Sequence, residues 1–343
     1  MNVSLLRAFG PSSCLTLEQV PTPEPAADEV LIRIQAAGLN RLDHYLREGS
    51  VTRDLPLPRI LGSDGAGVVE RAPAGSDLKP GDRVIHMPGY PLDPAHAGVR
   101  PISAAPSYGI VGMLRDGTYA QFIAVPRRWV VRDQTGLPPH QAATLPMPIV
   151  TGVRAVRVVG EVREGQSVLV HAGASGTGSI NIQVAKALGA RVAATVRSAS
   201  KVEFVRSLGA EEVFVTNGTD FVQPTLRWTD GRGADVIIDN LGGPVLTASV
   251  DALRPLGILV SMGMVMGLEA TISLRSLFFA QKQIRGTLMG DFEDLTWGLD
   301  QVRAGRIRPT LDRVYPLSRA AEAHERLARG DSLGTIVLDP WAE

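Results

Sequence analysis

The sequence predicts an α/β protein: a mainly-β N-terminal part, then a parallel, doubly wound sheet. Three observations predict it. Up to about residue 130, short β-rich runs are broken by Pro- and Gly-containing turns. After Pro148, apolar strands alternate with amphipathic helices, as a sheet covered on both faces requires. One of those strands runs directly into a glycine-rich turn that opens a helix.

In order along the chain, Val30-Leu31-Ile32-Arg33-Ile34 follows the loop Pro21-Thr22-Pro23-Glu24-Pro25 and reads as a strand. Gly67-Val68-Val69-Glu70 and Asp82-Arg83-Val84-Ile85 read likewise, separated by the turn Lys79-Pro80-Gly81, and residues 117–125 alternate in strand fashion up to Pro126. Residues 87–116 are rich in Pro, Gly, Ala and Ser without a period, and are expected to form a long loop or lobe. Ser167 to His171 is a buried strand, and the helix after the glycine turn runs through Leu188 to a stop at Gly189. Strands are expected at 191–196, 213–215, 234–239 and 257–261, with a helix over 201–208 stopped by Gly209. A helix over 320–329 and a strand over 334–338 complete the chain.

Composition narrows the class of function. Of 343 residues, 44% are hydrophobic and 20% charged, which suits a globular protein long enough for two domains. Lys plus Arg equals Asp plus Glu at 35 each, so no global positive field draws nucleic acid, and no nucleic-acid partner is expected. No uninterrupted run of about 18 apolar residues is present, so neither a spanning helix nor a membrane partner is expected. Gly10-Pro11 interrupts the first segment before the apolar core of a signal peptide, and the one cysteine, Cys14, has no partner for a disulfide. The expected location is cytoplasmic.

The motif Val168-Leu169-Val170-His171-Ala172-Gly173-Ala174-Ser175-Gly176-Thr177-Gly178 carries the chemistry. Glycines here permit a tight turn and close backbone approach, so a dinucleotide pyrophosphate rests on free N–H groups at the helix start. Gly173, Ser175, Gly176, Thr177 and Gly178 are therefore candidate cofactor contacts. The end of the second strand decides which cofactor. An NAD enzyme usually places a carboxylate there, about twenty residues past the glycines, for the ribose hydroxyls. This chain has Arg197-Ser198-Ala199-Ser200-Lys201, with no acid to repel a 2′-phosphate. NADPH is expected, held by Arg197, Ser198 and Lys201. Asn240 and Gly242 follow the strand ending at Asp239, and Gly263 and Met264 follow the next, where a parallel sheet's C-terminal edge meets ligand. Met262, Met264, Met266 and Met289 fit an adaptable apolar pocket or ordinary core packing equally.

Together with Ala37 to Tyr45, Leu61 to Val69, Gly81 to Val84 and Gly334 to Leu338, this turn resembles the medium-chain dehydrogenase/reductase superfamily, in particular its zinc-independent, zeta-crystallin-like quinone oxidoreductase branch. The resemblance implies a GroES-like mainly-β catalytic domain from residues 1–147 and 286–343, with a Rossmann cofactor domain of residues 148–285 inserted. It implies a cleft between domains with nicotinamide at its floor, and a homodimer formed through the cofactor domains. By matching position, Asn40 and Tyr45 are the candidate carbonyl-side donors. Asp43 matches a recurrent acid of the same motif and reads more as an anchor for the loop than as a proton donor. Thr151 matches a threonine that approaches the nicotinamide ribose, and Asn217 stands where quinone reductases often carry an aromatic residue by the adenosine phosphate.

Zinc relatives carry cysteine where this chain has Asn40 and Gly-His-Glu where it has Gly62-Ser63-Asp64. Catalytic zinc needs three protein ligands and an open position, so no metal is expected, and His86 and His96 read as structural. Without a Lewis acid, a simple alcohol is a hard substrate, whereas a quinone or enone accepts hydride at an electrophilic carbon. The expected reaction is hydride transfer from NADPH to a quinone or α,β-unsaturated carbonyl, with Tyr45 or solvent supplying the proton. A carbonyl/alcohol dehydrogenase and a non-catalytic NADPH-binding protein are the alternatives.

Overall fold

A computed structural model describes residues 1–343, which divide into two compact units: Met1–Met147 with Asp291–Arg303 and Pro309–Glu343, and Pro148–Gly290 with Ala304–Arg308. Gly286 to Gly290, expected in the first domain, lies with the second. The reason is sheet pairing: Gln283–Gly286 extends the second unit's sheet by lying parallel to Leu253–Ser261, and holds the residues after it there.

The first unit is built around the strand Glu29–Leu39, whose side chains are buried along nearly its whole length. It pairs antiparallel with Asp64–Arg71, Phe122–Pro126 and Thr335–Asp339, so N- and C-terminal segments share one sheet. Arg83–His86, Val130–Arg132 and Leu311–Pro316 complete it, and Leu15–Gln19, Asn2–Leu6 and Arg59–Ile60 form a second, smaller sheet. Gly67 is needed in the main sheet because a Cβ there would collide with the Arg33 carbonyl oxygen across the strand pair.

One stretch departs from the sequence reading, and a second settles between the loop and the lobe that the sequence leaves open. Residues 117–125 form a strand only from Phe122, because the N–H groups of Gly117, Thr118 and Tyr119 bond the carbonyls of Ile60, Gly62 and Leu61 at 2.8–3.0 Å instead of joining the ladder. Residues 87–116 are not a bare loop. Gly89–Pro91 and Tyr108–Ile110 form a hairpin; Tyr90 is buried and stacks on Trp129 at 5.7 Å; Ile102 is buried, with its N–H bonded to the Asp291 carboxylate at 2.7 Å.

The second unit is a six-stranded parallel sheet in the order Glu212–Val215, Arg191–Val196, Ser167–Val170, Ala234–Asp239, Leu253–Ser261, Gln283–Gly286. Its core is continuous and apolar, with Leu169, Ala193, Phe221, Ile237, Val250 and Leu259 all buried, which is why these strands read as unbroken hydrophobic runs. The helix Gly176–Ala187 ends at Leu188, and Gly189 turns the chain at φ +82°. The helix expected over 201–208 begins as a 3-10 turn, Ala199–Lys201, and continues as Val202–Ser207. Strand order reverses between Ser167–Val170 and Ala234–Asp239, the switch point where such sheets bind ligands.

The helical run Pro139–Val159 is long and apolar enough to cross a bilayer, an exception to the absence expected from uninterrupted apolar residues. It is mostly buried, as a core helix of that composition would be.

Candidate active site

In the first unit the site is organised by two buried carboxylates. Asn40 is extended at φ −109° and begins the helix Arg41–Glu48. Its backbone N–H donates to Asp43 Oδ2 at 2.8 Å, a capping interaction from the third helical residue back to the cap. Asp43 also accepts from the Gly62 N–H and the Tyr119 hydroxyl, both at 3.2 Å. With three donors it ties the helix start to the 60–62 segment and to Tyr119, the loop-ordering role the sequence suggests. The Asn40 side-chain amide donates to Asp64 Oδ2 at 2.9 Å, and the Met147 N–H donates to Asp64 Oδ1 at 2.7 Å. An amide nitrogen carries two hydrogens, so Asn40 retains one to offer.

Tyr45 sits on the same helix, half-buried, and its hydroxyl is buried without a partner. Burial raises its pKa above the usual phenol value, so it keeps its proton throughout the neutral range. A buried hydroxyl lacking a partner is an uncommon expense in a folded protein and marks a group that a ligand can satisfy. The Ser63 hydroxyl is in the same condition, fully buried and unpartnered. In the sequence Ser63 stands out only as the replacement of a metal ligand; the signal that identifies it, its unpartnered burial, exists only in three dimensions.

The donor set does not fit zinc. Of Asn40, Ser63 and Asp64, only Asp64 is a metal-ligand type, and both its oxygens already accept hydrogen bonds. No group of three or more His, Cys, Asp or Glu side chains is placed to hold a metal ion. His86 is buried, Nδ1 2.8 Å from the Met87 carbonyl, and burial lowers its pKa to about 4; His96 Nδ1 lies 2.9 Å from Ser107 Oγ.

In the second unit the glycine turn is tightly constrained. The Gly173 N–H bonds the Thr195 carbonyl and the Ser175 N–H bonds the Ala172 carbonyl, both at 2.9 Å. Ala172 is left-handed at φ +49°, and a Cβ on Gly178 would collide with its carbonyl oxygen, so the helix start and turn approach as only glycine allows. Ser175 caps the helix, its hydroxyl accepting from the Gly178 N–H at 3.0 Å, which commits that oxygen locally. Gly176 and Thr177 are half-buried at the helix opening. Gly152, next to Thr151, packs against Ile180 and Asn181 of this helix.

At the C-terminal edge the sheet brings Asn240, Gly242, Gly263 and Met264 together. A Cβ on Gly263 would collide with the Asn240 carbonyl, and one on Gly242 would press on Gly263 and Met264. Asp239 Oδ1 accepts from the Leu241 and Gly242 N–H groups at 2.8 and 3.1 Å, while Asn240 Oδ1 is buried without a partner. That orphaned acceptor, beside a turn with no room for side chains, fits a bound dinucleotide. Past the second strand, Arg197 and Ser198 are exposed and Lys201 half-buried. The Ser198 hydroxyl accepts from the Ser200 N–H at 3.3 Å. The Thr216 N–H bonds the Val196 carbonyl at 2.9 Å, which sets exposed Asn217 beside the same strand end. Of the four methionines, Met289 is buried, Met262 and Met264 are half-buried and Met266 is exposed.

Burial raises the Asp43 and Asp64 carboxyls from 3.8 to about 7 and about 8. For a carboxyl whose folded pKa exceeds its unfolded one, the stabilising contribution is complete below about pH 4 and lost as pH rises through the folded value. Each pKa unit corresponds to about 1.4 kcal/mol. Asp64→Asn, which cannot ionise, should therefore flatten the decline of Tm with rising pH between acid and neutral. Thermal unfolding across that range checks this, and parallel slopes for variant and wild type would contradict it.

Comparison with known proteins places this geometry. Residues 26–139 match the alcohol dehydrogenase GroES-like domain family and residues 176–304 the family described as zinc-binding dehydrogenase. The chain is 30% identical to a quinone oxidoreductase of Pseudomonas aeruginosa over 97% of its length and 98% of the relative's. It is 28% identical to a 2-haloacrylate reductase of a Burkholderia species, covering 95% of each. Among solved structures, a protein described as an NAD-dependent alcohol dehydrogenase superimposes with a TM-score of 0.93 at 34% identity, over 99% of both chains. With a GroES-like first unit, a Rossmann second unit and relatives of this kind along its whole length, the chain belongs to the medium-chain dehydrogenase/reductase superfamily, in its quinone oxidoreductase branch.

Proposed function

We propose that this protein is an NADPH-dependent reductase that delivers hydride to quinones or α,β-unsaturated carbonyl compounds without zinc. The observation that carries the reading is the donor set at Asn40, Ser63 and Asp64, which offers hydrogen bonds where a metal enzyme offers ligands. Such a set cannot acidify an alcohol strongly, but it suits an acceptor whose charge spreads onto oxygen.

Bound NADPH supplies the hydride from its nicotinamide ring. N–H groups at the start of Gly176–Ala187 hold the pyrophosphate, the helix dipole favouring its charge. Arg197, Ser198 and Lys201 grip the 2′-phosphate, with Asn217 beside the same strand end. Asn240 Oδ1 would accept from the cofactor, and Gly242, Gly263, Met264 and, by the resemblance, Thr151 would line its nicotinamide end. On the acceptor, the remaining Asn40 N–H and the Tyr45 hydroxyl donate to the carbonyl oxygen, and Tyr45 or water completes the protonation. The 2-haloacrylate reductase relative acts, by its name, on a conjugated acid, which agrees with an electron-poor double bond as acceptor.

The second unit also supports a homodimer. Its edge strand Gln283–Gly286 is unpaired on one side, and Leu268, Leu274, Phe278 and Phe279 nearby are 78%, 69%, 62% and 73% exposed. An unpaired strand edge with exposed apolar side chains close to it in sequence is a template for pairing with a second copy.

Two outcomes test these readings. Arg197→Ala combined with Lys201→Ala should weaken NADPH about 10- to 100-fold while leaving NADH binding within about twofold, as loss of two charge-assisted contacts to one phosphate predicts. Calorimetric titration with both nucleotides checks it, and equal weakening of both would contradict it. Ile284→Lys combined with Phe279→Glu should convert a dimer to monomers by light scattering; a monomeric wild type, or a variant that remains dimeric, would count against this interface.

A further inference from the structure

A directed hydrogen-bond chain runs from the glycine turn into the body of the second unit. The Ala172 N–H donates to Thr195 Oγ1 at 3.2 Å, and Thr195 Oγ1 lies 3.1 Å from His171 Nδ1. His171 Nε2 lies 2.8 Å from Ser249 Oγ, which itself bonds the Val245 carbonyl at 2.8 Å. The directions follow from hydrogen counting. The single hydroxyl hydrogen of Ser249 goes to the Val245 carbonyl, which can only accept. Ser249 Oγ must then receive the Nε2 hydrogen of His171, leaving Nδ1 as a bare acceptor for the Thr195 hydroxyl hydrogen. Thr195 Oγ1 is thereby free to accept from Ala172. Every donor is used once, and the ring is fixed as the neutral Nε2–H tautomer. His171, Ser249 and Phe221 are fully buried and Thr195 is 2% exposed; Phe221 meets the ring edge-on at 4.5 Å; burial lowers the His171 pKa to about 3, so the ring stays neutral.

What the chain holds is the strained point of the site. Ala172 occupies the left-handed region at φ +49°, where the Cβ of an L-residue crowds its own backbone. Its carbonyl also takes the Ser175 N–H and lies against Gly178, so its orientation sets the path of residues 173–178. The Thr195 carbonyl takes the Gly173 N–H in addition. One residue therefore fixes two successive N–H groups of the turn, and it lies two positions before Arg197.

We propose that His171 and Thr195 are positioning residues for the dinucleotide: a neutral imidazole, anchored on Ser249, orients the Thr195 hydroxyl so that it holds Ala172 and presents the turn's N–H groups to the pyrophosphate. The inference rests on the cofactor reading above. It assigns to a buried residue pair a part in setting cofactor affinity.

The test titrates NADPH into the full-length wild type and into Thr195→Val, Thr195→Ser, Ser249→Ala and Phe221→Leu, with Tm recorded for each. Thr195→Val should raise the Kd and the KM for NADPH about tenfold, with the KM for quinone unchanged, and Thr195→Ser should return both to within about twofold of wild type. Ser249→Ala, which leaves the Nε2 hydrogen without an acceptor, should act in the same direction by about threefold, and carries the test alone if Thr195→Val does not fold. Phe221→Leu removes packing on the ring but no hydrogen bond, so it should lower Tm while leaving the NADPH Kd within about twofold. Wild-type affinity in both Thr195→Val and Ser249→Ala, or weakening in Phe221→Leu in proportion to its loss of Tm, overturns the proposal. A wild type that binds no NADPH overturns the cofactor reading first and this inference with it, and the two failures are distinguished by the wild-type titration itself.

Discussion

The cofactor unit depends on one close approach, that of Gly178 at the start of its helix to the carbonyl of Ala172. A helix start can serve as an anion site only if its N–H groups face outward with nothing in front of them. Here the approach is made possible by a missing Cβ at Gly178 and by a left-handed Ala172. The rest of the unit accommodates this local strain: the parallel sheet supplies rigid strands on either side of the turn, the Thr195 backbone and side chain hold it from one neighbouring strand, and His171 and Ser249 brace it from behind. A strained residue persists where its surroundings over-determine it, and such places tend to be functional.

The first unit uses a different device for the same end. Two carboxylates are withdrawn from water and surrounded by N–H and O–H donors from Asn40, Gly62, Tyr119 and Met147. Burial penalises their charge, and the donors offset only part of that penalty, so both titrate near neutrality. Against this fixed frame the hydroxyls of Tyr45 and Ser63 are left without partners. In this frame the chain places an amide, two hydroxyls and a carboxyl already engaged by donors, a set that does not suit zinc.

The second unit was largely legible because its signals are local. A glycine turn between a strand and a helix, apolar strands of a few residues and glycines at helix ends all follow from neighbouring residues alone. The strands Arg191–Val196 and Ala234–Asp239 stand where the run of apolar residues puts them. What was not legible depends on pairs remote in sequence. The His171 contacts reach residues 24 and 78 positions away, and no period announces them. Residues 87–116 read only as a loop or lobe since they lack periodicity; their order comes from tertiary contacts, Tyr90 stacking on Trp129 and the Ile102 backbone N–H bonding Asp291. The strand expected from Gly117 begins only at Phe122, the earlier N–H groups having found the carbonyls of 60–62. Asp64 shows the same limit at the site: its identity marked the loss of a zinc-binding motif, but its burial and its two donors appear only once the chain is folded.

The proposed hydride transfer runs on hydrogen bonds and needs no metal. Its most direct test is the initial rate of quinone-dependent NADPH oxidation by protein dialysed against a strong chelator, measured before and after zinc is added back. Full turnover after chelation, no gain on adding zinc, and negligible oxidation of a secondary alcohol in the reverse direction are expected. Activity lost to the chelator and restored by zinc would contradict it.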